Sequence, residues 1–198
     1  MKRLTLLAAF PLLALSGCNK EDSRQGDAPG YADAVFAQYP GTKIRFYDVD
    51  GTDAQSIRAS LNSLGPKGRR DAKSYDAQTN WNATWHWQGG PDGRCDLEHL
   101  DYSFDIIVIL PHLHDQDKLS PAVRHAWGRY MAALIDHESG HAKHAYEHRG
   151  DIEKAVKSSS CDDANAAGAA AIAEMSKFDV QYDAETHHGA TQGATFPG

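Results

Sequence analysis

The stretch HESGH, His137 to His141, decides how the rest of this sequence is interpreted. On an α-helix, His137 and His141 lie on one face about 6 Å apart along the axis, so both imidazoles can reach one tetrahedral Zn²⁺. Glu138 lies about 100° further round the axis, where it can take a proton from a water molecule on that ion. The stretch therefore predicts a zinc site with two histidine ligands and Glu138 as the general base.

The sequence before the motif predicts a long helix. Ser120 is a favourable N-cap, and Pro121 suits the first helical position. Apolar residues then recur at helical spacing: Val123, Trp127, Met131 and Leu134. Gly150-Asp151 is expected to end or interrupt this helix.

The C-terminal part of the sequence is expected to be helical at first and then irregular. Residues 152–158 have helical character, and 162–178 are rich in alanine and predict a further helix. The remainder, 182–198, contains glycine and proline without periodicity, so it is expected to be a loop.

The N-terminal half predicts two strands and a helix. Residues 43–49 and 79–87 alternate in polarity and are rich in β-formers, and the second strand is expected to be half-buried through its tryptophans. Thr52 or Asp53 is expected to cap the helix between them, which ends at Gly65-Pro66.

A further β-region is predicted over 95–110, as one long strand or two shorter ones, and a β-meander is the simplest arrangement. His112 and His114 follow it and are expected to be loop residues; the alternative is that they line the cleft or bind adventitious metal. Together these elements predict an α+β fold, in which a small antiparallel or mixed sheet packs on the motif helix and on further C-terminal helices.

The N-terminus, residues 1–17, has the form of a signal peptide. A basic start precedes an apolar run to Leu15 that is too short to span a bilayer as a mature helix. Leu15-Ser16-Gly17-Cys18 resembles the bacterial lipobox, in which the cysteine is acylated, so Cys18 is expected to be a lipid anchor. The alternative is an ordinary signal peptide with an incidental cysteine.

Charge and composition limit the partners and the location. Residues 18–30 are polar and predict a flexible tether, which leaves 31–198 as one folded domain. The protein is expected to face the periplasm, and Asn19, which is not the aspartate associated with inner-membrane retention, favours the outer membrane. With 27 acidic and 20 basic residues the formal net charge is −7, so nucleic acid is not an expected partner. The oligomeric state is left open.

Two cysteines, Cys95 and Cys161, remain once Cys18 is assigned to the anchor. In an exported protein they are expected to form a disulfide, which stabilises by about 4 kcal/mol in the chain-entropy model. Zinc ligation is the weaker alternative, because neither cysteine lies in a Cys-x-x-Cys spacing.

A catalytic zinc site needs a third protein ligand and an open position. The metzincin class is excluded, because the sequence has His144 and Glu147 where that class requires glycine and histidine. Glu174 on a following helix is one candidate. His144 is another, although it lies further along the helix and away from the ion. The remaining candidates are in the tail: Asp183, His187 and His188.

Two residues just before the tail histidines carry further hypotheses. Tyr182 could donate its hydroxyl to the oxyanion formed when water attacks a carbonyl, or it could anchor the tail as a buried aromatic. Asp183 could fix the tautomer of a zinc-binding histidine, ligate the ion itself or cap a turn.

The sequence resembles the predicted secreted zinc-dependent proteases known as domain-of-unknown-function family 922. The resemblance covers nearly all of 31–198 and depends most on His137-Glu138-x-x-His141 and on Tyr182-Asp183-x-x-Thr186-x-His188-Gly189. It also includes Gly65-Pro66, Trp81, Cys95, Pro111, Trp127 and Cys161. It implies a zincin-like metalloprotease domain in which His188 returns to the motif helix as the third zinc ligand; His187 lies outside the family pattern.

These predictions combine into an expected function. The chain is expected to be a zinc metallohydrolase, in the first place an endopeptidase acting on peptide or protein substrates, with Glu138 as the base and Tyr182 at the oxyanion. Two alternatives stay open. One is a zinc-binding periplasmic lipoprotein without catalysis, and the other is a hydrolase of peptidoglycan stem peptides.

Overall fold

The computed structural model describes residues 28–68, 72–89 and 96–197. The predicted signal peptide, the lipid anchor at Cys18 and the cysteine at position 95 lie outside these residues. The first of the described helices begins at Ala28, within the segment predicted to be a tether, and buries Ala32 and Phe36 in the core. None of the described helices is long and apolar enough to cross a membrane.

The described residues contain four helices and three strands, which we number in chain order. The helices are α1 (Ala28–Phe36), α2 (Ala54–Leu64), α3 (Pro121–Lys157) and α4 (Ala164–Thr186), and the strands are β1 (Thr42–Val49), β2 (Gln78–His86) and β3 (Asp101–Leu113). Short 3₁₀ turns cover Gln116–Lys118 and Ala190–Gln192. The predicted α+β class is confirmed.

The sheet is mixed, with strand order β1-β3-β2. β3 is parallel to β1, where Asp48 is the partner of His112, and antiparallel to β2, where Trp81 is the partner of Ile106. The predicted β-meander is therefore wrong, because β1 pairs with β3 across an intervening helix and strand. β3 is also one strand that extends to Leu113, so His112 lies inside it rather than in a loop.

The predicted N-terminal elements form for local reasons. Asp53 caps α2, since its side chain accepts a hydrogen bond from the backbone N–H of Ser56 at 2.8 Å, and the Ser56 hydroxyl accepts in return from the Asp53 N–H. The helix then buries Ile57 and Leu61 and ends at Leu64, as its spacing predicts.

Helix α3 is 37 residues long and forms the centre of the molecule. The Ser120 hydroxyl caps it by accepting from the Val123 N–H, and Pro121 occupies the first turn. Its buried face packs against the sheet and α1, and each large apolar side chain buried in this way contributes about 1.5–3 kcal/mol. That face includes Trp127, Tyr130, Met131, Leu134 and Ile135.

Two predicted helix ends are wrong. Helix α3 does not stop at Gly150-Asp151, because Gly150 is tolerated on its exposed side and the helix continues to Lys157. The tail predicted to be a loop from residue 182 is helical up to Thr186, where His187 ends α4 in the left-handed conformation.

The C-terminal tail is fixed to the core by one aromatic side chain. Phe196 packs against the rings of Trp127 and Tyr130, with ring centroids 5.5 and 5.4 Å apart, and is 7% exposed. The segment between α4 and this anchor therefore lies against α3. Elsewhere, Cys161 is disulfide-bonded; its partner lies outside the described residues, so pairing with Cys95 stays a prediction.

Candidate metal centre

Helices α3 and α4 bring together three side chains of the kind that bind metal ions, which we call the helix cluster: His137, His141 and Asp183. The Asp183 Oδ1 atom lies 3.2 Å from Nε2 of His137 and 3.1 Å from Nε2 of His141. The two imidazoles are almost fully buried, with exposed side-chain fractions of 3% and 8%. The predicted ligands His137 and His141 thus face one point, together with an aspartate from the tail motif.

The cluster exists because two i,i+4 pairs face each other. His137 and His141 lie on one face of α3, and Asp179 and Asp183 lie on the facing side of α4. The two helices are held together by aromatic stacking beside the cluster. Phe178 stacks on His144 and Tyr182 stacks on His137, with ring centroids 3.8 and 5.0 Å apart.

Gly140 makes the close contact of Tyr182 with α3 possible. A Cβ atom at position 140 would lie 2.5 Å from the Tyr182 hydroxyl oxygen, which is far inside van der Waals contact. That hydroxyl accepts a hydrogen bond from Nε2 of Gln192 at 3.0 Å. Tyr182 is not among the side chains that line the adjacent cleft, so its location matches the anchoring alternative, and its role at an oxyanion stays a prediction.

Both cluster histidines are oriented through their second ring nitrogen. Nδ1 of His141 lies 2.9 Å from Oδ1 of Asp179, and Nδ1 of His137 lies 2.9 Å from Oε1 of Gln192. Because these partners are oxygen acceptors, each Nδ1 donates a hydrogen bond to its partner, and each Nε2 is directed at the shared point. Asp179 is itself held by Trp81, whose indole N–H donates to Oδ2 at 2.9 Å.

The carboxylates around the helix cluster favour a positive charge on His141. Burial lowers the pKa of His141, but hydrogen bonds to Asp179 and Asp183 outweigh it and raise the pKa to about 10. Burial opposes ionisation of Asp183, yet hydrogen bonds from His137 and His141 hold its pKa well below the usual range. The protonated His141 therefore supplies positive charge beside the carboxylates of Asp179 and Asp183.

Glu138 lies beside the helix cluster and is 4% exposed. Burial raises its pKa, although the positive potential of His141 and His137 acts in the opposite direction. Its Oε2 atom accepts a hydrogen bond from the Thr79 hydroxyl on β2 at 2.7 Å. A buried carboxylate with a raised pKa and a fixed orientation is suited to accept and return a proton.

A cleft of about 870 Å³ opens next to these groups. One wall is the outer edge of β2 together with the segment before it, and the opposite wall is α4 with Ile172, Ser176 and Val180. His137, Glu138, His141 and Asp183 also line it. The helix cluster is therefore accessible from one side, although its imidazoles are buried.

His188, the third ligand implied by the family resemblance, lies at the rim of the cluster. Its Nδ1 atom is 3.4 Å from Oδ1 of Asp183, and 55% of its side chain is exposed. It packs against Tyr75, with ring centroids 5.0 Å apart, and lines the cleft. Within the described residues it is Asp183, and not His188, that completes the three-membered cluster; ligation by His188 stays a prediction.

The tail motif also has structural reasons for its residue types. The Thr186 hydroxyl donates to the Tyr182 carbonyl at 2.7 Å and accepts from the Gly189 N–H at 3.2 Å, which closes the turn after α4. Gly189 has φ +80°, and a Cβ there would lie 2.9 Å from Cγ of His137. His187 and His188 both adopt left-handed backbone conformations, which cost about 1–2 kcal/mol each.

The remaining ligand candidates lie elsewhere. His144 stacks on Phe178, and the exposed Glu174 pairs with Lys177. His187 is exposed beyond the end of α4. The sequence analysis missed Asp179, Gln192 and Thr79. Only Asp179 had a local signal, namely its position four residues before Asp183 on the same helix face.

The comparisons with known proteins identify a family whose function is unknown. A family model described as "Bacterial protein of unknown function (DUF922)" matches residues 44–189, from β1 to the turn after α4. This match confirms the family that the resemblance names, while the protease activity that the resemblance implies stays a prediction. Neither the curated proteins nor the solved structures contain a match to the chain.

Proposed function

We propose that this chain, which belongs to the DUF922 family of bacterial proteins of unknown function, is a zinc-dependent endopeptidase with a zincin-like domain. One observation carries the proposal. Two buried imidazoles and a carboxylate converge on one point, beside the buried carboxylate of Glu138, at the floor of an open cleft. Catalytic zinc sites use three protein ligands of these types and leave one position open.

The donor set of the helix cluster fits Zn²⁺. In a tetrahedral site with bonds of about 2.0–2.2 Å, neighbouring ligand atoms lie about 3.3–3.6 Å apart. The Asp183 oxygen lies 3.2 and 3.1 Å from the two Nε2 atoms, so these atoms need to move apart only slightly to bind the ion. We propose His137, His141 and Asp183 as ligands, with His188 as the rival third ligand. Asp179 and Gln192 orient the imidazoles, as outer partners do in zinc sites.

The residues around the ion suggest a division of roles. When bound, Zn²⁺ lowers the pKa of a coordinated water molecule and polarises a carbonyl group. Glu138 receives the proton on its carboxylate and returns it to the leaving amine, while the Thr79 hydroxyl holds that carboxylate in place. The raised pKa of Glu138 supports this role, because proton transfer in both directions requires a pKa near the working pH.

The shape of the cleft supports a peptide substrate. In the described sheet β2 pairs with β3 on one side only, and its other edge borders the cleft. The free N–H and C=O groups of an edge strand can pair with an extended peptide. A peptide laid along β2 would pass Thr79 and therefore Glu138, which binds that residue. Stem peptides of peptidoglycan are a narrower class that the same cleft would admit.

The location and partners are also part of the proposal. We place the chain in the periplasm, attached to the outer membrane through a lipid on Cys18, with no other membrane contact and no nucleic-acid partner. The acidic balance of 27 acidic to 20 basic residues supports the last point.

The rival function is zinc binding without catalysis. It is favoured by the surplus of histidines, eleven in the chain, because a zinc store uses many such ligands. The two functions differ in their consequences for Glu138. A store has no need of that carboxylate, whereas the peptidase depends on it.

The test combines zinc content with peptide cleavage. The purified full-length protein and its Glu138→Gln variant are assayed for bound zinc by mass spectrometry and for cleavage of a fluorogenic peptide library. We expect both proteins to hold zinc and the variant to lose about 10²–10⁴-fold in rate, the contribution of a general base. Glu147→Gln is the matched control, because Glu147 is exposed on the same helix.

Two outcomes would contradict the peptidase. Unchanged activity in Glu138→Gln would remove Glu138 from the mechanism. A zinc-loaded wild-type protein that cleaves no member of the library would favour the zinc-binding alternative.

A further inference from the structure

A second group of potential metal ligands lies at the end of the sheet, and we call it the strand cluster: Asp48, His112 and His114. Oδ1 of Asp48 lies 2.8 Å from Nε2 of His114 and 4.0 Å from Nδ1 of His112. One nitrogen or oxygen atom from each residue lies within 4.8 Å of the other two. None of the three is among the described residues that line the cleft, so this cluster is separate from the helix cluster.

The backbone of the sheet holds the strand cluster in place. Asp48 and His112 are register partners on the parallel strands β1 and β3. His114 lies two residues after His112, which is the spacing that directs side chains to the same side of a strand. Its N–H donates to the Val49 carbonyl at 3.3 Å, so the ladder continues past the end of β3. The three side chains are therefore brought together by strand pairing rather than by a flexible loop.

A hydrogen bond between His114 and Asp48 does not account for the whole arrangement. Nδ1 of His112 is too far from the Asp48 carboxylate, at 4.0 Å, for a hydrogen bond. Its ring is nevertheless directed toward the cluster, because it packs edge-on against His114 and Phe46, with centroids 4.7 and 6.0 Å apart. An ion bound between the three side chains would be ligated by Nδ1 of His112, which takes no part in the hydrogen bond between His114 and Asp48.

We propose that the strand cluster binds one divalent transition-metal ion, Zn²⁺ or Cu²⁺, independently of the helix cluster. Two imidazoles and one carboxylate are a ligand set that suits both ions, and Cu²⁺ binds such sets more tightly than Zn²⁺. The side chains of His112, His114 and Asp48 are 36%, 48% and 74% exposed, so water completes the coordination and the ion exchanges readily. This site does not rest on the proposed peptidase activity.

The test is a metal titration of the full-length protein after chelation. Bound Zn²⁺ is counted by equilibrium dialysis, and Cu²⁺ is followed by electron paramagnetic resonance, which detects coupling to imidazole nitrogen. We expect the wild-type chain to bind one Zn²⁺ more than His112→Ala or His114→Ala, whether or not the helix cluster holds an ion. In each variant the Cu²⁺ affinity of the strand cluster should fall at least about tenfold, since outer-partner changes alone already cost about 10–100-fold.

Two further variants separate a metal site from an ordinary ion pair. Asp48→Asn keeps a hydrogen-bond acceptor for His114 but removes the charged ligand, so it should weaken Cu²⁺ binding while leaving the melting temperature unchanged. His99→Ala is the matched control, because His99 and Asp96 form a pair at 2.7 Å that has no third ligand among the described residues. It should bind metal as the wild type does.

The variant His137→Ala distinguishes metal binding at the strand cluster from metal binding at the helix cluster. We expect this variant to lose the tightly bound ion and to keep the exchangeable one, whatever its effect on peptide cleavage. Wild-type metal binding in both His112→Ala and His114→Ala would overturn the proposal. So would loss of the weak site in His99→Ala.

Discussion

The helix cluster leaves only 3% and 8% of its two histidine side chains in water, whereas the strand cluster leaves 36% and 48% of its two exposed. Both clusters offer two imidazoles and one carboxylate. They differ in support: Asp179 and Gln192 hold the ring nitrogens of the helix cluster, while Phe46 gives one ring of the strand cluster only an edge contact.

This difference shows what the surroundings add to the same donor atoms. Hydrogen bonds to the outer nitrogen fix the tautomer and the direction of an imidazole, and they raise its basicity as a ligand. Burial keeps water from competing for the donor atoms. We therefore propose tight binding and chemistry at the helix cluster and weak, exchangeable binding at the strand cluster.

The largest expected effect comes from removing the carboxylate of the helix cluster. Asp183→Ala should lower zinc affinity by more than about 100-fold, because loss of an outer partner alone already costs up to that factor. His188→Ala is the comparison, and we expect it to retain most of its zinc. Competition with a fluorescent chelator measures both affinities.

If the zinc affinities of the two variants are in the opposite order, the proposed set of ligands is wrong. If His188→Ala loses its zinc and Asp183→Ala keeps it, the tail histidine is the third ligand, as the family resemblance implies. Equal losses would indicate that both side chains bind the ion.

In the metal-free protein, the buried helix cluster should make the melting temperature depend on pH. The folded-state pKa of His141 is raised from 6.5 to about 10, so the protonated form stabilises the fold fully below pH 6.5. That contribution is lost as the pH rises through the folded-state value. The melting temperature in the presence of a chelator should therefore fall between pH 6.5 and 10, by roughly 5–10 °C for a stabilisation on the order of a few kcal/mol.

The control for the pH effect is Asp179→Asn. This change removes one carboxylate that raises the pKa of His141, so the fall should become shallower. An equally steep fall in the variant would mean that the pairing of His141 with Asp179 does not cause the pH dependence.

A smaller effect tests the packing beside the helix cluster. Gly140→Ala forces a methyl group against the Tyr182 hydroxyl and should destabilise the fold by about 1–3 kcal/mol. Gly150→Ala on the same helix meets open space and should stabilise it by about 0.5–1 kcal/mol. Denaturant unfolding of both variants measures the two free energies, and equal effects would mean that Tyr182 does not constrain position 140.

Much of the framework could be predicted because its signals are local. Asp53 and Ser120 cap the helices that they were expected to cap, and β1 and β2 follow the alternation of their sequences. The spacing of His137 and His141 placed both imidazoles on one helix face. Each of these features depends on residues within one or two turns of each other.

The rest depends on contacts between distant residues. Helix α4 extends through Asp183 because Tyr182 and Phe178 stack on side chains of α3, and no pattern within the tail indicates those partners. The parallel pairing of β1 with β3 likewise requires the intervening chain to cross over, which the strand sequences do not specify. For this reason the sequence indicated loops where the structure has the end of α4 and His112.

The Asp183 oxygen that accepts hydrogen bonds from both buried imidazoles also affects the order of assembly. We expect the same contacts to form in the metal-free chain, so that the ion is not needed as a folding nucleus. If the proposed site binds zinc, we expect His141 to give up a proton to the solvent as the cation takes its place. Uptake of zinc would then release acid and be reversed by acidification.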